Sequence, residues 1–132
     1  MNQLPGEIES IETKDNLSLV SVKVGTTILS AIVIKTPQTA SYLKIGNPIQ
    51  VIFKATEVTV GLGYVHHISL QNRLAGEVVA IESGQLLSRL ALKTSVGMIF
   101  SIITTKAVNQ LQLRVGSKIM AMVKTNEVML TE

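Results

Sequence analysis

One small pattern occurs twice in this chain, in register, and that duplication restricts the fold more than any other feature. The stretch Asn2–Ile11 (NQLPGEIESI) returns as Asn72–Ile81 (NRLAGEVVAI), and Leu43–Val58 (LKIGNPIQVIFKATEV) returns as Leu113–Val128 (LRVGSKIMAMVKTNEV). Both pairs lie about 70 residues apart, and no gap is needed between them. Asn2/Asn72, Gly6/Gly76, Lys23/Lys93, Gly46/Gly116, Lys54/Lys124 and Glu57/Glu127 all coincide. A register kept over a whole half implies duplication of one small domain, with expected boundaries 1–62 and 69–132. Any site is then built twice, or built between the copies.

Each half has about 65 residues, near the lower limit for an independent hydrophobic core. The 132-residue chain has no cysteine, so neither disulfides nor a thiolate metal site can reinforce it. Packing of one half on the other, or oligomerisation, is the expected source of extra stability. Hydrophobic residues make up 46% of the chain and aromatic ones only 3%. So many aliphatics on so small a domain point to surface buried against partners. The formal charge of +3 is spread along the sequence, mildly favourable for anions and unlike a polybasic nucleic-acid face. The N-terminus lacks a basic stretch followed by an apolar run, and no apolar stretch is long enough to span a bilayer. A cytoplasmic protein is the expectation.

Hydrophobic alternation makes each half mostly strand. In the first, Glu7–Thr13 alternates, Leu17–Val24 places Val20, Val22 and Val24 on one face, and Thr27–Ile34 is a β-branched run after the turn at Gly25-Thr26. Pro37 interrupts; Gln38–Leu43 is expected as a short helix ended by Gly46, followed by a strand over Ile49–Ala55 and a last one near Val58. The second half repeats the order: strands over Gly76–Ile81, Leu87–Thr94 and Met98–Thr104, a helix over Lys106–Gln112, then strands over Ile119–Lys124 and Val128–Thr131. Five short strands with one helix between the third and fourth is the pattern of an OB-type barrel. The predicted fold is therefore all-β, two tandem OB-like five-stranded barrels, each with a short helix. The linker Gly61–Ile68 is short and partly apolar, so the barrels should touch.

The strongest local feature is the repeated Lys54-Ala55-Thr56-Glu57-Val58 and Lys124-Thr125-Asn126-Glu127-Val128. In an extended chain Lys54 and Thr56 share one face while Glu57 points away, which suits an anion. The same residues also suit a solvated surface strand with an ordinary ion pair. Ser69-Leu70-Gln71-Asn72 supplies neutral donors before the second half's first strand, or simply a turn. Thr104, ahead of Thr105 and Lys106, is a natural helix N-cap, and the free amides of a helix start also attract anions.

Other chemistries find little support. His66 and His67 are adjacent, so in an extended segment their rings diverge and one metal ion held by both is improbable. Asp15 is the only Asp and the remaining acids are scattered, which argues against a carboxylate pair. Gly61-Leu62-Gly63 lacks the third glycine and the strand–helix context of a dinucleotide site. With no Cys and no Ser-His-Asp set, nucleophilic catalysis is not expected, and the chain does not read as an enzyme. An OB-type barrel can also bind single-stranded nucleic acid, but only Tyr42, Phe53, Tyr64 and Phe100 are available for stacking.

The opening N-Q/R-L-x-G-E and the late K-A-T-E-V and K-T-N-E-V-M-L of each half resemble the Mop domain, the molybdate-binding module of the TOBE superfamily. The resemblance covers nearly the whole chain, twice, and is similar to the cytoplasmic molbindins of the di-Mop type. It implies an OB-like barrel per half, a homo-oligomer (a trimer of di-Mop chains), and sites for a small inorganic oxyanion, molybdate or tungstate, at contacts between Mop domains. Neither a nucleic acid nor a membrane is implied as a partner. The family's sites use a Ser-Ala-Arg-Asn stretch before the first strand, a Thr after the third, and the late Lys with its neighbouring backbone. Carried over, the resemblance implies Ser69, Gln71 (where Arg is usual), Asn72, Thr104, Lys124 and Thr125 in the second half, and Lys54 and Ala55 in the first. Ile34 replaces the Thr in the first half, and only Met1 precedes Asn2. Complete sites are expected to combine Ser69, Gln71 and Asn72 of one domain with Lys54 or Lys124 of another. The implied role is storage, buffering or homeostasis of the oxyanion. Met1 directly before Asn2 fits a free-standing protein; the ligand-sensing part of a molybdate-responsive regulator or transporter subunit is the alternative.

Overall fold

The computed structural model describes residues 1–63 and 67–132; Tyr64, Val65 and His66, on which the adjacent-histidine argument depends, lie outside the described residues. In the first half β1 (Asn2–Lys14), β2 (Leu17–Val24), β3 (Thr27–Val33), β4 (Pro48–Phe53) and β5 (Thr59–Leu62) follow in order. The second half supplies β6 (Asn72–Ser83), β7 (Leu87–Thr94), β8 (Gly97–Thr104), the helix α1 (Thr105–Gln110), β9 (Lys118–Val123) and β10 (Met129–Thr131). Short 3-10 turns at Ala55–Glu57 and Thr125–Glu127 precede β5 and β10.

These strands form two antiparallel five-stranded sheets, but the sheets do not follow the halves. Their orders are β10-β4-β1-β2-β3 and β5-β9-β6-β7-β8. Each half therefore gives its last strand to the other. Met129, Leu130 and Thr131 pair with Ile52, Val51 and Gln50, while Thr59–Leu62 pairs with Met122 back to Ile119. The sheets curl until their edges meet, with β10 against β3 and β5 against β8. Ser101 Oγ fastens the second closure by donating to the Val58 carbonyl at 2.8 Å. The exchange also brings Glu132 towards Tyr42; burial, with this carboxylate beside it, pushes the Tyr42 hydroxyl above its ordinary range.

The long first strand of each half serves two neighbours, which explains its repeated glycine. Residues 2–7 of β1 pair with β4 and residues 7–14 with β2, the change of partner falling beside a bulge between Ile8 and Ser10. The bulge frees backbone groups of Ile8, and the loop before β4 takes them up: Ile8 N–H donates to Asn47 O at 3.0 Å and Gly46 N–H donates to Ile8 O at 2.7 Å. Val78 makes the same two bonds with Ser117 and Gly116. At Gly76 a Cβ would lie 2.8 Å from Lys93 O, and at Gly6 it would lie 2.9 Å from Lys23 O. Only glycine permits so close a crossing of backbones. Pro5 lies where β1 is paired with β4 on one side and with no strand on the other, the kind of position in a sheet where proline is tolerated.

The core is continuous across the halves. Val20, Val22 and Val24 are buried as their alternation requires, as are Leu90 and Leu92. Phe53 and Val58 of the first half meet Leu74, Ile99 and Val123 of the second at the junction. Two residues clasp this junction from opposite sides. The Asn2 side chain accepts from Phe100 N–H (2.7 Å) and donates to Phe100 O (2.9 Å). The Asn72 side chain accepts from Ser30 N–H (2.7 Å) and donates to Ser30 O (2.8 Å). Each buried amide thus acts as one peptide unit of a missing neighbour strand, capping an edge of the other half's third strand.

The second half's helix forms close to expectation, but the first half's does not. The stretch Gln38–Leu43 is a succession of turns. Thr39 explains the difference: its Oγ1 accepts from Thr36 N–H at 2.8 Å and lies 3.2 Å from Thr36 O, offering the backbone a local alternative to a helix. Lys106-Ala107-Val108-Asn109-Gln110 has no such competitor, and Thr104 Oγ1 caps it by accepting from Ala107 N–H.

Two outcomes follow. Gly76→Ala should lower stability by about 1–3 kcal/mol, read as a lower urea midpoint at unchanged m value, because Lys93 O cannot rotate out of the way. Asn72→Ala should cost about 1–3 kcal/mol by orphaning Ser30 N–H and C=O, and the loss should appear as a shift of one common transition for both halves.

Candidate functional site

The expected donors gather where β6 begins and β9 ends. Asn72 pairs with Val123, and continuing that antiparallel register by one residue sets Gln71 against Lys124. Lys124 is extended (φ −72, ψ 144), after which the chain turns: its carbonyl accepts from Glu127 N–H at 2.9 Å. This 3-10 turn lies against β3, whose Ser30 is held by Asn72. One corner therefore contains Gln71, Asn72, Lys124 and Thr125, with Ser69 two residues upstream of Gln71. Ser69, Gln71 and Lys124 are exposed and Thr125 is half-buried. Among the described residues, none of these four side chains is engaged in a hydrogen bond or ion pair. Asn72 differs: its side chain is 2% exposed, and both ends of its amide bind Ser30.

The duplication builds a related corner in the first half. Asn2 pairs with Phe53, so Met1 stands against Lys54, and the turn Ala55–Glu57 lies against β8. Lys54 has nearly the same backbone (φ −73, ψ 144), and its carbonyl accepts from Glu57 N–H at 3.0 Å. Because both late motifs turn directly after the lysine, the strict strand alternation expected for Lys54–Glu57 does not hold. Thr56 and Asn126 are exposed, while Ala55, Glu57, Thr125 and Glu127 are half-buried.

Thr104 is not brought to Lys124 within its own chain, although its strand β8 packs against the turn after Lys54. It stands opposite Leu87, next to the Ser83–Ser88 pairing at the end of β6, whereas Asn72 begins that strand. Its hydroxyl is engaged with Ala107 N–H at 3.0 Å, and α1 has only six residues. What the sequence concealed is the role of Ser30 and Phe100, whose backbones receive the two asparagines. An asparagine at the same place in both repeats, just where a strand starts, was the available signal. As for the aromatics, Phe53 is in the core, and the Arg89 guanidinium covers the Phe100 ring at 4.0 Å. Among the described residues no group of three or more His, Cys, Asp or Glu side chains could hold a metal ion.

Two curled sheets that exchange their last strands, each with a lysine-bearing turn at its corner, define a tandem OB-type binding module. The chain belongs to the TOBE-domain family: the family model matches residues 1–60 and again 68–130. Among solved structures it is similar to the cytoplasmic molybdate-binding protein ModG in a form with molybdate bound, at 26% identity and a TM-score of 0.91, covering 98% of this chain and 94% of that one. It is also similar to MopII from Clostridium pasteurianum in an apo form, at 32% identity over 49% of this chain and 98% of that one, with a TM-score of 0.48. No curated protein matches the chain. Among the described residues no helix is long and apolar enough to cross a membrane.

Proposed function

We propose that the protein reversibly binds molybdate or tungstate in the cytoplasm, storing or buffering the oxyanion without turning it over. The observation that carries this reading is the corner where the β6–β9 register sets Gln71 against Lys124, with Thr125 beside it and Ser69 two residues upstream, all four side chains without a partner among the described residues. Hydroxyl and amide donors around one ammonium suit a tetrahedral dianion, which accepts hydrogen bonds on every side. The likeness over nearly the full length to ModG, which was solved with molybdate, supports the choice of anion. Asn72 acts as a positioning residue: by holding β6 to Ser30 it fixes where Gln71 and Ser69 stand relative to Lys124. Lys54 and Ala55 form the duplicate of this corner.

The corner is open to solvent within one chain, and a dianion held there would keep much of its hydration. Contact with another domain would exclude that water and strengthen each hydrogen bond by lowering the local dielectric. Thr104, remote from Lys124 in its own chain, would reach such a site from a second copy. We therefore place the anion at contacts between domains of a homo-oligomer, a trimer by resemblance. A nucleic-acid ligand is disfavoured because Phe53 is buried and Arg89 occupies the face of Phe100.

Ligand held only by the folded assembly raises its stability by mass action, by about 2.7 kcal/mol at a hundredfold excess over Kd. Molybdate and tungstate should each raise the Tm in a concentration-dependent way, and a flat response to both at saturating concentration would contradict the reading. Lys124→Ala, which deletes a charge-assisted bond of about 1.5–3 kcal/mol, should weaken molybdate binding by about 10- to 100-fold in isothermal titration.

A further inference from the structure

The two lysine turns begin with the same backbone, φ and ψ of Lys54 and Lys124 agreeing within a degree, yet they are held unequally. The turn after Lys54 makes two bonds of its own, from Glu57 N–H to Lys54 O at 3.0 Å and from Val58 N–H to Ala55 O at 3.3 Å. A third reaches it from the other half, where Ser101 Oγ donates to Val58 O at 2.8 Å. Ser101 is buried in β8, the strand on which this turn packs. The turn after Lys124 packs in the same way on β3, where the repeat puts Ala31 at the position of Ser101. Ala31 is buried too, but its methyl group has nothing to donate to Val128 O. Of these three bonds, the Lys124 turn keeps among the described residues only the one from Glu127 N–H to Lys124 O, at 2.9 Å. The strand that follows is also shorter: β10 pairs with β4 along Met129–Thr131, whereas β5 pairs with β9 along Thr59–Leu62.

We propose that Ser101 preforms the Lys54 turn, and that the Lys124 turn, which faces Ala31, is ordered by the oxyanion as it binds. This rests on the oxyanion-binding reading of the lysine corners and adds how each of them responds to the ligand. Local opening of a turn breaks the bonds that hold it, so a turn with three opens less often than a turn with one. Loss of a single hydrogen bond changes such an opening equilibrium by about two- to tenfold. A dianion at a lysine needs the ammonium and the backbone beside it in one arrangement. At Lys54 that arrangement exists beforehand; at Lys124 the ligand selects it from a looser set, and the ordering is part of the affinity there. The Lys124 turn leads into β10, the strand lent to the first half's sheet, so ordering it tightens the junction between the halves as well as the site. Ser101 touches no ligand in this scheme. It is a positioning residue that acts through Val58.

Amide hydrogen exchange of Glu57 and Glu127, which make the same turn bond, tests this in the full chain with and without sodium molybdate. Bound anions are counted in parallel by native mass spectrometry. Without ligand, the protection factor of Glu57 should exceed that of Glu127 by about two- to tenfold. Ser101→Ala should abolish most of this difference. Ser18→Ala, which removes another buried hydroxyl bonded to a carbonyl (Lys35 O, 2.6 Å), should leave it intact. Ala31→Ser, which places a hydroxyl at the repeat position of Ser101, should raise the protection of Glu127; if Ser101→Ala does not fold, the absence of that rise overturns the proposal. Saturating molybdate should raise the protection of Glu127 by a larger factor than that of Glu57. Equal protection of the two amides in the free protein, a difference that survives Ser101→Ala, or a ligand effect as large at Glu57 as at Glu127 overturns the proposal, while anion uptake leaves oxyanion binding standing. If the wild type takes up neither molybdate nor tungstate, the functional reading itself fails and ligand-driven ordering falls with it.

Discussion

A β-sheet edge carries unpaired N–H and C=O groups, and everything in this structure follows from how four such edges are closed. Two five-stranded sheets have outer strands β3 and β10, and β5 and β8. The chain closes them by giving each sheet a last strand from the other half, then capping β3 and β8 with the amides of Asn72 and Asn2. Neither half is complete alone. Halves that would be marginal by size are joined through ladder bonds, side-chain amides and a shared core at Phe53, Leu74 and Val123. The same closure positions the Lys124 corner, because the turn after Lys124 leads into the exchanged β10 and lies against the strand that Asn72 holds.

Much of the fold was legible in the residues. Alternation in Leu17–Val24 and Leu87–Thr94 located β2 and β7 to the residue, and the repeat dictated two equivalent sheets. The exchange was not legible, for a physical reason. Since β4 and β9 are copies, Thr59–Leu62 and Met129–Thr131 meet a suitable edge in either half, and local pattern cannot distinguish the two pairings. Pro5 and Gly6 disguised the start of β1, because both usually interrupt strands; here they mark the segment with a single neighbour and the crossing over β2. The absent helix at Gln38–Leu43 shows Thr39 competing for the backbone, a choice invisible to hydrophobic spacing.

The site was legible as a set of residue types, not as an arrangement. The β6–β9 register sets Gln71 against Lys124, with Thr125 next along the chain and Ser69 two residues upstream of Gln71. Asn72 belongs to the group for a different reason than its donor chemistry implied: its amide is spent on Ser30. Thr104 caps α1, a role its type fits equally well. Residue type thus identified the polar positions, while the division between holding the fold and facing a ligand needed the register and the hydrogen bonds.

The central claim is that reciprocal strand exchange makes the two halves one cooperative unit. Native-state hydrogen exchange in increasing urea, read by mass spectrometry on peptides from β1–β3 and β6–β8, tests it most directly. The account predicts that protection in both regions converges on one global opening with the same free energy and urea dependence. Separate openings, with one half losing protection while the other keeps it, would contradict it.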